Sequence, residues 1–276
     1  MGIKIIQLDL DGTLLTSDKR ISRANYEALE RAAAQGVYIV PSTGRFYDGM
    51  PQVVRDLPFV KYAITVNGAQ IYDVANRAVL HKAEMPYEDA LRLYDYMDTL
   101  PGIYDCYVDG WGYMEAGLYA RIDEFISDPR TNRMVKELRK PTENMRQVLK
   151  DRPVQKVQIF FKDMERRAQE LERMPQIFSD MAVTSSITNN IEVNAKHANK
   201  GEALRVLCRI LGVDIRDTMA FGDGSNDLAM IQAAGIGVAM ENAYPGLKEA
   251  ADYVTCTNDE DGVARAMERF VFGADA

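Results

Sequence analysis

Short apolar runs alternate with amphipathic stretches at both ends of this chain, and the middle follows a different rhythm. Residues 3–8, 37–40 and 62–66 are brief apolar runs, the mark of strands buried on both faces. Between the first two, Ser22 is placed to cap a helix running to about residue 35, with Gly36 just beyond it. In the middle, residues 86–100 carry a helical pattern that breaks at Pro101-Gly102. Residues 104–114 alternate around Asp109-Gly110, a hairpin signal. Residues 154–161 form another strong strand pattern, and residues 182–187 and 191–193 flank Thr188-Asn189-Asn190 as a second hairpin. Pro141 and Pro153 punctuate this stretch. The βα rhythm then resumes. Asn199 with Glu202 three residues on resembles a capping box. Ala203, Leu204, Val206, Leu207, Ile210 and Leu211 then repeat at helical spacing. Strands are expected near 218–221, 236–239 and 252–255.

Alternating βα units predict an α/β fold, a Rossmann-like parallel sheet with helices on both faces. The hairpin-rich middle predicts an inserted α+β domain. The expected division is a core of residues 1–83 and 190–276 with an insert of residues 84–189. The length of 276 residues suits two domains.

Composition narrows the partners. A hydrophobic fraction of 47% supplies a sizeable core, and a formal net charge of −8 disfavours a general nucleic-acid or membrane-surface role. Cys106, Cys208 and Cys256 are widely spaced, with no Cys/His metal pattern, which reads as reduced thiols in a cytoplasmic protein. No apolar run approaches the roughly 20 residues needed to span a bilayer. The first strand begins directly at the N-terminus, so no signal peptide is expected.

The candidate chemistry sits where the predicted strands end. Asp9-Leu10-Asp11-Gly12-Thr13 follows the first apolar run, and Ser42-Thr43-Gly44-Arg45 follows the second. Lys200 opens the amphipathic helix, and Gly222-Asp223-Gly224-Ser225-Asn226-Asp227 follows the run at 218–221. Ligands of open parallel α/β sheets bind outside the carboxyl ends of the strands, so these segments converge on one crevice. Two acids two residues apart can divide attack on an electrophile from proton transfer, or can hold a hard cation together. Turn formation is the competing reading of Asp-Gly sequences.

The order Asp-x-Asp-Gly-Thr, Thr-Gly-Arg, Lys, Gly-Asp-Gly-x-Asn-Asp resembles the haloacid dehalogenase superfamily, and more narrowly its Cof-type (type IIB capped) phosphatases. The resemblance implies a phosphatase that works through an aspartyl-phosphate. Asp9 would be nucleophile and metal ligand. Asp11 would be acid and base, binding metal through its backbone carbonyl. Lys200 would stabilise charge on Asp9 and phosphate, in preference to Lys196. Thr43 would bind the transferred phosphoryl group, with Gly44 letting its backbone N–H approach phosphate; Ser42 is the weaker candidate there. Arg45, Asn67 and Asn226 are candidates for substrate contact, an ion pair being the rival role for Arg45 and a turn for Asn67. Asp223 is the natural third metal ligand, with Asp227 beside it as an occasional one or a helix cap. Oxygen ligands and a phosphate substrate point to Mg²⁺.

The substrate implied is a small phosphorylated metabolite, a sugar phosphate or similar, with no nucleic-acid or membrane partner and a monomer or small homo-oligomer as the working form. The insert would be a cap that closes over the crevice and sets leaving-group specificity. Tyr107, Asp109, Trp111 and Tyr113 are candidates to face a sugar, a core face being the alternative. A phosphomutase is the runner-up; Arg130, Arg133, Arg139 and Arg146 could hold its second phosphate. A non-catalytic phosphate-binding regulator is the third reading. His197 and His81 carry no required role.

Overall fold

The computed structural model describes residues 2–273. In chain order the first strands are β1 (Ile5–Leu8), β2 (Tyr38–Pro41), β3 (Tyr62–Thr65), β4 (Gln70–Asp73) and β5 (Ala78–Lys82). The middle contributes β6 (Gly102–Val108), β7 (Trp111–Glu115), β8 (Arg139–Thr142), β9 (Lys156–Phe161), β10 (Met181–Thr184) and β11 (Asn190–Ala195). The last three are β12 (Thr218–Gly222), β13 (Ile236–Ala239) and β14 (Tyr253–Val254).

The chain divides into two compact units, residues 1–82 with 199–276, and residues 83–198. In the first unit a parallel sheet runs in the order β14-β13-β12-β1-β2. Isolated parallel bridges, Ile39 with Val60 and Ser42 with Ile64, lay β3 beside β2. Helices cover both faces, as the double-sided burial of the strands requires. On one face Arg23–Ala34 and Gly262–Phe270 pack on Ile6, Leu8, Ile39 and Phe221. On the other, Lys200–Leu211 packs on Ile5, Val40 and Ile64. Ser22 caps the first helix by accepting a hydrogen bond from the Asn25 amide. Asn199 caps the lysine-bearing helix by accepting from Glu202 N at 2.9 Å.

Beyond β3, which the apolar run at 62–66 predicts, the antiparallel extension through β4 and β5 was not legible in the pattern. The edge strand β5 is mostly exposed and so lacks an apolar signature. This extension holds both ends at which the first unit is interrupted. Lys82 pairs with Gln70, and the backbone of Asn199 lies against Gly68 so closely that a Cβ there would meet the Asn199 carbonyl oxygen at 2.3 Å.

The second unit is one six-stranded sheet, β10-β11-β9-β6-β7-β8, antiparallel except for β7 with β8. Its second boundary lies at 198/199 and not at 189/190, because β11 pairs along its length with β9 and β10. The expected turn at Asp109-Gly110 forms, with φ of 51° and 77°. These are the left-handed values a two-residue hairpin requires. One sheet face is apolar and carries helices 87–98 and 164–177.

The opposite face holds a buried polar layer. Asp105 Oδ2 accepts from Arg139 Nε at 2.7 Å and from Gln158 Nε2 at 2.8 Å, and Lys156 donates to Glu192 at 2.7 Å. The hairpin register also separates the expected aromatic cluster. Tyr107 lies opposite Gly112 and points to the polar face beneath Arg139 and Lys156. Trp111 and Tyr113 lie opposite Val108 and Cys106, so they share the other face. Asp109 sits in the turn and pairs with Arg152 at 3.6 Å.

Candidate active site

Four strands of the parallel sheet end side by side, and each hands over to a polar segment. Asp9 follows β1, Ser42-Thr43 follows β2, Asn67 follows β3 and Asp223 follows β12. The register fixes their proximity: Leu8 pairs with Pro41 on one side and Phe221 on the other. The Asp9 amide donates to the Phe221 carbonyl at 3.0 Å, and the Ser42 amide to the Leu8 carbonyl at 2.7 Å.

Asp9, Asp223 and Asp227 each place a carboxylate oxygen within 4.8 Å of the others. Lys200, fully buried, donates from Nζ to Asp9 Oδ1 at 2.5 Å and to Asp227 Oδ1 at 2.6 Å. The other oxygen of Asp227 accepts from the amides of Asp223 and Gly224 at 3.0 and 2.9 Å. Asp227 therefore fixes the loop and the ammonium at once. Thr13 donates to Asp223 Oδ1 at 2.7 Å. Gly12 makes this approach possible: its φ is +89°, and a Cβ would lie 2.4 Å from Asp223 Oδ2.

Three carboxylates against one ammonium leave the cluster negative in a water-poor setting. Burial, set partly against Lys200 and reinforced by Asp227 and Asp223, pushes the Asp9 carboxyl well up. Burial and then Asp227 push Asp223 up to about 7. Burial acts to lower Lys200, but the carboxylates of Asp227 and Asp9 hold it above the usual lysine range. An all-oxygen, surplus-anionic donor set of this kind fits a hard divalent cation.

Asp11 stands apart from that cluster. Its Oδ1 accepts from Lys19 Nζ at 2.7 Å and its Oδ2 from Arg45 Nη2 at 2.6 Å. Burial acts to raise its carboxyl, but Arg45 and Lys19 prevail and hold it below the ordinary value. Arg45 therefore makes the ion pair, with its partner among the candidate residues themselves.

Thr43 and Asn67 are buried, and Gly44 is half-buried beside them. The Thr43 hydroxyl accepts from the Arg45 amide at 3.2 Å, and the Asn67 amide donates to the Thr43 carbonyl at 3.0 Å. Asn226 donates to Asn67 Oδ1 at 3.1 Å. Val66 and Asn67 both have left-handed φ, 51° and 58°. For a β-branched residue such a conformation costs about 1–3 kcal/mol, and it persists where surrounding bonds fix it. Here the Val66 amide donates to the Arg45 carbonyl at 2.9 Å. The expected turn at Asn67-Gly68 and the side-chain contact with the site thus occur together.

Ser42 is turned beneath the site, accepting from Gln7 Nε2 at 2.8 Å; Gln7 also donates to the Lys200 carbonyl at 3.2 Å. Lys196 is exposed and donates to the Ser179 carbonyl, outside the cluster. His197 is exposed, and His81 lies on the edge strand β5. Of the four arginines considered for a second phosphate, Arg139 is committed to Asp105 and Arg146 to Asp95. Sequence reasoning missed Gln7, Lys19 and Asn242, whose Nδ2 donates to the Gly12 carbonyl at 2.8 Å. None of them has a local signal, because each acts through a partner distant in sequence or across a turn.

Comparison with known proteins matches this arrangement to a family. The family model for haloacid dehalogenase-like hydrolases covers residues 6–267. The chain belongs to that family. A 5-amino-6-(5-phospho-D-ribitylamino)uracil phosphatase of Bacillus subtilis, YcsE, is 32% identical over 283 residues, covering 98% of this chain and 97% of the relative. The B. subtilis phosphatase YwpJ is 33% identical over 295 residues, covering 98% and 100%. Among solved structures, a haloacid dehalogenase-like hydrolase from B. subtilis superposes with a TM-score of 0.82 at 29% identity, covering 96% of this chain and 99% of that one. A sugar phosphatase of subclass IIB gives a TM-score of 0.83 at 25% identity, covering 97% and 98%. The parallel core with its α+β insert is that capped fold, and the chain is a phosphoric monoester hydrolase of the superfamily.

Proposed function

We propose that this hydrolase releases inorganic phosphate from a small phosphorylated metabolite, a sugar phosphate or similar compound, by a Mg²⁺-dependent reaction through an aspartyl-phosphate on Asp9. The observation that carries the reading is the cluster of Asp9, half-buried Asp223 and Asp227 at the carboxyl edge of the sheet, with Lys200 on Asp9 and Asp227. A phosphatase of a phosphoribityl compound and a sugar phosphatase among the relatives support the substrate class.

In the first step an Asp9 oxygen attacks phosphorus while the bond to the leaving oxygen breaks, and Asp11, which must enter this step protonated against the pull of Arg45 and Lys19, gives that oxygen a proton. In the second, Asp11 takes a proton from the water that attacks phosphorus, and the Asp9–phosphorus linkage breaks to free phosphate and the carboxylate. Lys200 offsets charge on Asp9 and the phosphoryl oxygens. Thr43, the Gly44 amide, Asn67 and Asn226 orient the phosphate in this reading. Asp9, Asp223 and the Asp11 carbonyl, with Asp227 in support, would hold Mg²⁺. When bound, the ion supplies the positive charge that lets carboxylate and phosphate approach. Leaving-group choice falls to the insert. The formal charge of −8 favours a small-molecule over a nucleic-acid partner, and a cytoplasmic monomer or small homo-oligomer is the setting proposed. Among the described residues no helix is long and apolar enough to cross a membrane.

Free phosphate measured over a panel of phosphorylated metabolites, with Mg²⁺ or with chelator, tests this reading. Turnover should require the metal and fall by about 10³-fold or more in Asp9→Asn with the fold retained. Near-normal release by that variant would overturn the assignment.

A further inference from the structure

Two carboxylates two residues apart leave the same bend and meet opposite electrostatic surroundings. Asp9 is drawn to a lysine shared with Asp227, inside the acidic cluster. Asp11 has each of its oxygens on a separate cation, Lys19 and Arg45, outside that cluster. The two cations are not equivalent. The Lys19 side chain is 43% exposed and extends from a turn residue with φ of 65°, whereas that of Arg45 is 20% exposed.

The backbone of Arg45 is held on both sides, its amide by the Thr43 hydroxyl and its carbonyl by the Val66 amide. Its guanidinium also reaches the Gly49 carbonyl at 3.5 Å. Ion pairs this near the surface add only about 0–1 kcal/mol to stability. A half-buried planar fork on a fixed backbone gives direction more than stability.

We propose that Arg45 is a positioning residue for proton transfer: it holds the Asp11 carboxylate clear of the Asp9–Asp223–Asp227 cluster, in the attitude from which Asp11 serves the leaving oxygen and then the attacking water. The proposal rests on the phosphatase reading above and deepens it. Arg45 shares the segment that carries Thr43 and Gly44, so one piece of backbone sets both the phosphate-contact groups and the proton carrier. Lys19, the more exposed arm, contributes less.

The test is a double-mutant cycle with two substrates of different leaving group, run beside wild type and Asp9→Asn. A sugar phosphate has an alkoxide leaving group that needs a proton, whereas p-nitrophenyl phosphate has one that leaves with little help. Acid–base assistance is worth about 10²–10⁴-fold. Arg45→Ala should therefore lower kcat on the sugar phosphate by about 10–10²-fold and on p-nitrophenyl phosphate by less than about threefold, with inhibition by inorganic phosphate unchanged. In an Asp11→Asn background the same substitution should change kcat by less than about twofold, because the group it positions is already gone.

Arg45→Lys, which keeps the charge but not the fork, should recover part of the loss. If Arg45→Ala does not fold, Arg45→Gln carries the same comparison. Equal losses on both substrates, losses that multiply in the Asp11→Asn background, or weakened phosphate inhibition would place Arg45 on the phosphoryl group itself and overturn the proposal. Phosphate release persisting in Asp9→Asn would instead mark failure of the underlying phosphatase reading.

Discussion

Lys200 and Asp227 meet in full burial, Nζ to Oδ1 at 2.6 Å, with the other oxygen of Asp227 on the amides of Asp223 and Gly224. The pair links the start of one helix to the loop after β12. The ammonium is thereby fixed in the substrate-free protein, which in the proposed reaction would remove a reorganisation cost from the chemical step.

Removing the lysine should damage fold and chemistry together. Lys200→Met leaves Asp9 and Asp227 without their shared cation, and breaking a buried pair from one side costs about 3–5 kcal/mol. The expected outcome is a denaturation midpoint lowered to match and turnover reduced by about 10²-fold or more. A variant with unchanged stability would show that the buried carboxylates are compensated in another way.

Stability of the metal-free protein should depend on pH through Asp223. Its carboxyl is raised from 3.8 to about 7. Between those values the folded state holds a proton that the unfolded chain has released, so stability falls as pH rises through the window. In the presence of chelator, Asp223→Asn should match wild type near the acid end and exceed it above about pH 7. Added Mg²⁺ should raise the wild-type Tm most at the alkaline end and the variant's little. Parallel Tm curves for the two proteins from pH 5 to 8 would count against this coupling.

Gly12→Ala should act on the metal site and not on the fold at large. The new methyl would sit 2.4 Å from Asp223 Oδ2 at a φ of +89°. Displacing a ligand or its support typically costs 10–100-fold in metal affinity, so half-saturation by Mg²⁺ should rise by about that factor. The Mg²⁺ titration of phosphate release measures it.

In the insert, Asp105→Ala should strip Arg139 of its buried partner, and Gln158 of an acceptor. A destabilisation of about 3–5 kcal/mol is expected. It should appear as faster amide exchange in β6, β8 and β9, with exchange in the β1–β12 ladder unaffected. Replacing Asp105 and Arg139 together by leucine should recover much of the loss, because no uncompensated charge remains.

The legible part of this protein is the part with a local cause. Asp9, Thr43, Lys200 and Asp223 each follow an apolar run or open a helix, so pattern alone placed them on one sheet edge. The unreadable part depends on partners far along the chain. Arg45 could be named as a candidate, but its choice of Asp11 depends on how two loops pack. Gln7 reads as an interruption in an apolar strand until Ser42 and Lys200 are seen around it. The expected boundary fell just before β11, assigning that strand to the core, because its alternation of Ile191 and Val193 with Glu192 and Asn194 suits a half-polar sheet in either domain. Only the pairing with β9 decides the matter.

Lys82 and Asn199 lie against Gln70 and Gly68, two residues apart on one segment. A module spliced in at neighbouring points can be lengthened, reshaped or exchanged while the surrounding scaffold closes the same short gap. Changes confined to residues 83–198 can therefore leave the strand ends that carry Asp9, Thr43 and Asp223 where they are.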